Sequence, residues 1–288
     1  MKISEEKVIL RPKVNPEFKS DSSGLLKSML SEIYGLAERL FIQLSRRFST
    51  LIAGIVQPLL WLFLFGALFK NISLTVVGTN IGYQQLLVPG IIVFTAFSGA
   101  LNAGLSIIFD REFGFFNRLL VCPMDSRISI LLASIVFITL TTLAQVLAIM
   151  LLNLLNTKNY LDIAKFAWVI FVIVSITVLI SLISITLAFI LPGHIELLAF
   201  ILIINLPILF SSTALAPITM MPHWLQVIAS WNPLTYAIEG IRLISLKEYD
   251  YTFISYYGNI TLITSLSVLA KLNLLSFFGI FVFFHKKY

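Results

Sequence analysis

The sequence predicts an all-α membrane protein: six transmembrane helices, an amphipathic interfacial helix before the first, and an external helical hairpin before the last. Three observations lead there. Hydrophobic residues make up 58% of the 288 residues and charged residues 12%, with a mean hydropathy of +0.96. The apolar residues come in blocks of about 20, the length a helix needs to cross a bilayer core. Charge gathers between the blocks, above all in 110–127, DREFGFFNRLLVCPMDSR, which separates two runs free of Asp, Glu, Lys and Arg. A soluble helical bundle is excluded, because a soluble helix needs a polar face and these blocks have almost none.

Residues 1–24 are polar, carry Pro12 and Pro16, and read as a flexible arm. Residues 25–288 read as one transmembrane domain. Leu26, Leu30, Ile33, Ala37, Leu40 and Leu44 recur at helical spacing, with Lys27, Glu32, Glu38, Arg39, Gln43 and Arg46 mainly between them. That pattern suits a helix lying in the interface plane. Spans are expected at 51–69, 86–109, 128–155, 166–191, 195–216 and 261–284. The third is long enough to require tilt, and Pro192-Gly193 turns the chain between the fourth and fifth. Lys and Arg number fourteen before the first span, in 110–127 and after the last span, against five in the other connections. The excess predicts both termini and the charged loop on the side of insertion.

Between the fifth and sixth spans, Pro217 and Pro222 interrupt the chain before a short semi-apolar helix. Asn232-Pro233 then reads as an N-cap followed by Pro at the first helical position. On the helix that follows, Glu239 and Arg242 are spaced to pair. Trp224, Trp231 and Tyr236 suit a membrane–water boundary, so this stretch is expected to dip into the outer leaflet as a hairpin.

Chemistry is sparse. The single Cys122 allows no internal disulfide, and His194, His223 and His285 lack ligand spacing, so no metal site is expected. Gly99 and Gly104 have the spacing of a phosphate-binding loop, but Leu105-Ser106 follows where Lys-Ser or Lys-Thr is required. Gly99/Ala103 and Ala100/Gly104 read better as small residues allowing close helix approach. Neither an ATPase nor any other catalytic residue is expected, and a membrane-embedded hydrolase would need clustered acids that are absent. The basic balance is explained by residues flanking spans, without nucleic acid. Gln57, Asn102, Gln145, Asn205 and Lys271 are polar residues inside spans and candidates for a translocation path. The amides read better as helix–helix contacts than as ligand contacts, and Lys271 either snorkels or faces the interior.

These features together resemble the permease subunit of type-2 ATP-binding-cassette (ABC) exporters, the family of drug-resistance and polysaccharide-export permeases. The likeness rests on Arg111-Glu112-Phe113-Gly114 through Arg118-Leu119-Leu120-Val121-Cys122-Pro123, on Ala216-Pro217 and Met221-Pro222, and above all on Trp231-Asn232-Pro233-Leu234-Thr235-Tyr236 running to Glu239-Gly240-Ile241-Arg242. It implies a subunit that pairs with a second permease, as a homodimer or heterodimer, among membrane lipids. ATP would be held by a separate ABC ATPase subunit, with no cofactor in this chain. The resemblance also implies a coupling segment, Arg111, Glu112, Phe113, Gly114, Phe116, Asn117 and Arg118, docking on that ATPase. Phe113 and Phe116 are expected on one side as apolar contacts. Glu112 and Arg118, six residues apart, do not share a helical face, so one is expected to meet the ATPase while the other anchors the segment. Phe115-Phe116 departs from the small and polar residues of many relatives. The Ile-, Phe- and Asn-rich, Ala-poor composition resembles plastid-encoded members, placing the protein in a plastid membrane or otherwise a bacterial inner membrane. Two rival readings are a non-transport anchor or assembly factor, and a secondary transporter.

Overall fold

The computed structural model describes residues 22–69, 73–76, 79–122, 128–156, 163–245, 253–255 and 258–287. The arm at 1–21 and Pro123–Arg127, the end of the charged stretch, lie outside the described residues. The helices are α1 (Ser22–Ser45), α2 (Phe48–Leu68), α3 (Tyr83–Leu101), α4 (Ala103–Glu112), α5 (Phe115–Val121), α6 (Ile128–Asn156), α7 (Ile163–Ile190), α8 (His194–Phe210), α9 (His223–Trp231), α10 (Pro233–Ser245) and α11 (Leu262–Lys287). Two small antiparallel hairpins, absent from the sequence reading, precede α3 and α11. Strands β1 (Ser73–Val76) and β2 (Thr79–Gly82) pair Ser73 with Gly82, and β3 (Phe253–Ser255) and β4 (Gly258–Ile260) pair Phe253 with Ile260. With so little strand, the chain remains an all-α membrane protein.

Five stretches among the described residues are long and apolar enough to cross a membrane: 48–68, 83–112, 128–153, 165–190 and 262–280. The second is a near-continuous pair, α3 and α4, broken only at Asn102, whose Nδ2 donates to the Ser98 carbonyl at 2.9 Å. It is also the centre of the molecule: 72% of its apolar window is buried, against 11% for α2 and 17% for α11. Phe94, Phe97, Ile107 and Ile108 of this pair pack with Ile173, Ile176 and Phe189 of α7 and Ile238 and Ile241 of α10 in one core.

The expected fifth span, 195–216, is shorter than predicted. Helix α8 has 17 residues, about 26 Å at the standard rise, and the chain then turns through 211–216. Hydropathy missed this stop because side chains distant in sequence cap it. Asn232 Nδ2 donates to the Ile208 carbonyl at 2.8 Å, and Arg242 Nη2 donates to that of Thr213 at 2.8 Å.

Glycines set the closest approaches, as the small-residue pattern suggested. A Cβ on Gly90 would collide with the Ala214 backbone, one on Gly99 with Thr142 of α6, and one on Gly104 with Ser184 of α7. Ser184 exploits the last approach: its hydroxyl accepts from the Gly104 amide at 3.0 Å and donates to the Leu101 carbonyl at 2.5 Å. It thereby satisfies backbone at the α3–α4 break.

Helix α1 is amphipathic as read, with Ala37 and Leu40 buried and Leu30 and Tyr34 exposed. It crosses α6, where Ser129 Oγ donates to Glu32 at 2.8 Å and Phe41 meets Phe137 edge-on at 5.0 Å between ring centroids. Gly35 on the same helix has nothing within 4 Å of a built Cβ. Gly90→Ala is therefore expected to destabilise the protein by about 1–3 kcal/mol through overpacking against backbone. Gly35→Ala should be neutral or gain up to about 1 kcal/mol of helix propensity. The midpoint for thermal loss of the monodisperse, detergent-solubilised protein checks both.

Candidate functional site

Polar side chains collect at the two ends of the central α3–α4 pair. That pair covers 30 residues from Tyr83 to Glu112, placing its ends about 45 Å apart.

At the far end, Asp110, Arg111 and Glu112 each reach a different helix. Asp110 receives Arg39 of α1 through two hydrogen bonds, Nη1 to Oδ1 at 3.0 Å and Nη2 to Oδ2 at 2.5 Å. The Arg39 guanidinium also lies 4.2 Å above the Phe115 ring centroid, a cation–π contact. Arg111 donates to the carbonyls of Ala188, Leu191 and Pro192 at 2.8, 2.6 and 2.8 Å. These are orphan acceptors at the C-terminus of α7, where a cation is favoured. Glu112 accepts the His194 amide at 2.6 Å and lies 2.5 Å from His194 Nδ1, placing an anion at the N-terminus of α8. A Cβ on Gly193 would stand 2.9 Å from that carboxylate, so the glycine of the Pro192-Gly193 turn makes room for the cap.

Gly114, at φ 75°, then turns the chain into α5, a left-handed conformation that costs glycine nothing. The structure separates the two phenylalanines that the sequence reading placed on one side. Phe113 is 78% exposed, whereas Phe116 is 1% exposed and packs on Phe189 at 5.7 Å between ring centroids. Phe116 is thus a core residue, turned inward by the reversal at Gly114. Glu112 is engaged by His194 across the α4–α8 contact. Asn117, Arg118, Val121 and Cys122 are exposed with Phe113, and the Arg118 guanidinium has no partner among the described residues.

At the Tyr83 end, Glu239 and Arg242 pair as their spacing predicted, Nη1 to Oε1 at 2.6 Å, both side chains 1% exposed. Arg242 also donates to Leu86 O, from Nε at 3.1 Å and Nη2 at 2.7 Å, and to Thr213 O. One guanidinium thus joins α10, the first turn of α3 and the irregular 211–216 segment. Asn232 caps α10 by accepting the Leu234 amide at 3.0 Å, with Pro233 in the first helical position. Tyr236 folds back to donate to the Ser230 carbonyl at 2.8 Å. Pro217 and Pro222 stand immediately before the 3-10 turn Ile218–Met220 and α9, and Trp224 and Trp231 are exposed.

The polar residues inside the spans do not form one group. Asn102 and Gln145 line the same half-open cleft. Asn205 instead accepts a hydrogen bond from Ser98 Oγ at 3.3 Å, a link between α8 and α3. Gln57 and Lys271 are exposed on the peripheral helices α2 and α11. Among the described residues no three His, Cys, Asp or Glu side chains converge as metal ligands would.

Sequence reasoning missed Arg39, read only as part of a polar helix face, and His194, read as an isolated histidine. Their partners lie 71 and 82 residues away, and no local pattern marks such pairs.

Residues 31–246, from within α1 to one residue past α10, match the ABC-2 type transporter family. The chain belongs to that family. This ABC-2 protein is 48% identical over 225 residues to a protein of Porphyra purpurea named "Putative transport permease ycf38", across 78% of this chain and 77% of the relative. The similarly named protein of Pyropia yezoensis is 48% identical over 226 residues, 78% of each chain. That of Cyanophora paradoxa is 48% identical over 215 residues, 75% and 74% of the two chains. The protein is therefore an integral-membrane ABC-2 permease of plastid-like type, and α11 lies beyond the family match.

Within this permease, Arg242→Ala should be the most damaging single change at the Tyr83 end. It would strand a buried Glu239 and free two carbonyls, a loss of about 3–5 kcal/mol. Glu239→Gln, which keeps a hydrogen-bond acceptor, should cost less. Folded yield after solubilisation and the thermal midpoint measure both.

Proposed function

We propose that this permease is the membrane half of an ATP-driven exporter, working as a homodimer or with a similar permease on a separate ABC ATPase subunit that binds and hydrolyses ATP. No catalytic residue is assigned to this chain. In this reading residues 25–288 form one transmembrane domain of six spans, with α8 and the turn after it completing the fifth. Both termini and the Asp110 end lie on the stromal or cytoplasmic side, and the α9–α10 hairpin lies opposite. The membrane is a plastid membrane, and the exposed apolar faces of α2 and α11 are left for lipid and the second permease. A lipid-like or amphipathic substrate suits a path bordered by Phe, Leu, Ile and a few amides.

The observation that carries the reading is the division of labour at the Asp110 end. Asp110, Arg111 and Glu112 bind α1, α7 and α8 to α4, while Phe113, Asn117, Arg118 and Val121 stay exposed on the same segment. A push delivered to that exposed rim by an ATPase would pass to four helices together. An apolar residue as exposed as Phe113, beside a cation with no partner among the described residues, has the composition of a docking patch.

A gently solubilised, tagged permease is expected to co-purify with a nucleotide-binding subunit, and never recovering one would sink the proposal. Arg118→Glu should leave insertion and thermal midpoint unchanged while reducing substrate-stimulated ATP hydrolysis at least about tenfold, on the scale of a charge reversal at an interface. Glu112→Gln should instead lower the thermal midpoint. Normal coupling in Arg118→Glu would place the contact elsewhere.

A further inference from the structure

A cleft of about 740 Å³ opens between the α1–α2 junction, the α3–α4 break and the middle of α6. Its lining comes from five helices, α1, α2, α3, α4 and α6. At the mouth, Arg46 and Arg47 are exposed, and neither guanidinium has a partner among the described residues. Asp110, the acidic residue of the lining, is already neutralised by Arg39, so the free charge at the mouth is positive. The wall is apolar, from Leu44, Leu51, Leu105, Phe109 and Ile138.

Deeper, Gln145 is 9% exposed and lines the cleft, yet its side-chain amide forms no hydrogen bond among the described residues. The amide is held between two glycines. A Cβ on Gly54 of α2 would collide with its nitrogen, and one on Gly99 of α3 would stand 3.3 Å from its oxygen. Facing the cleft, the amide offers one donor group and one acceptor to whatever fills it. Here the backbone has been cleared around a polar group that faces a cavity.

We propose that this cleft binds an anionic membrane lipid from the leaflet on which α1 lies. The phosphate or sulfonate headgroup sits against Arg46 and Arg47, the chain attachment reaches the Gln145 amide, and the chains run along the apolar wall between α2 and α6. A soluble anion would be served by the two arginines alone and has no use for the wall. A neutral lipid would leave the cations unpaired, and a zwitterionic one would bring its own cation beside them. The amphipathic helix supplies the route, since it places the mouth at the depth of lipid headgroups. The proposal rests on that membrane placement and not on the export reading.

The test uses the full-length permease in phosphatidylcholine nanodiscs, without nucleotide or ATPase subunit, so its outcome is independent of the export reading. Photoactivatable phosphatidylglycerol or phosphatidylcholine is added at a few mole per cent, and labelled peptides are mapped. The anionic probe is expected to label the 40–51 and 102–110 peptides roughly thirtyfold more than the zwitterionic one, the scale of two basic side chains at about 1 kcal/mol each. R46Q/R47Q should remove that preference. Gln145→Leu should lower labelling about threefold, the equivalent of one net hydrogen bond. Lys27→Gln, on α1 but outside the cleft, should change nothing. Equal labelling by both probes, or labelling indifferent to R46Q/R47Q in a monodisperse protein, would overturn the proposal. Displacement of the probe by millimolar glycerol phosphate would overturn it too, by revealing a site for soluble anions.

Discussion

A helix that stops inside an apolar environment leaves carbonyl groups that lipid cannot satisfy, and the architecture of this permease follows from how those groups are taken. Arg242 takes the Thr213 carbonyl in the turn after α8, and it also donates to Leu86 in the first turn of α3 while pairing with Glu239. Asn232 does so for Ile208, Ser184 for Leu101, and Arg111 for the end of α7. Each capping group comes from a residue remote in sequence from the carbonyl it serves. The short α8, the break at Asn102 and the irregular 211–216 turn therefore depend in part on contacts made in the assembled fold.

The two ends use this economy differently. At the Tyr83 end a buried ion pair and a proline-started helix close the structure around α3, with Gly90 clearing the approach of the 211–216 backbone. Loss of either partner there would leave a charge in a nearly water-free site. At the Asp110 end the charges are partly exposed and staple helices together; the backbone dipoles favour Arg111 at the end of α7 and Glu112 at the start of α8. The segment that follows is left half turned out, with Phe116 locked in and Phe113 free. Rigid attachment on one face and an open face on the other suit a part that receives force from a partner.

Much of the candidate site was readable from local pattern. Asn232-Pro233 announced the start of α10, the Glu239–Arg242 spacing announced their pair, and Gly99 and Gly104 announced close helix approaches. Each depends on neighbours within a turn or on the absence of a side chain. Two readings failed because local pattern does not carry the deciding geometry. The roles of Phe113 and Phe116 depend on the direction of a reversal at Gly114, and the end of α8 depends on Asn232 and Arg242. The two β-hairpins were overlooked because three- and four-residue strands beside long apolar runs carry little periodic signal.

By itself the sequence determined that this chain lives in a membrane, where its apolar blocks lie and which short segments must remain outside, because the cost of placing charge in hydrocarbon is additive and local. Its family signature determined the class of machine. The tertiary structure decided which polar residues are structural and which are offered outward, because that choice depends on contacts between residues 70 to 160 positions apart. It also decided that Asn102 and Gln145 share a cleft while Gln57, Asn205 and Lys271 do not. Depth along a span follows from counting residues, but the face a side chain presents is set by the helices packed around it.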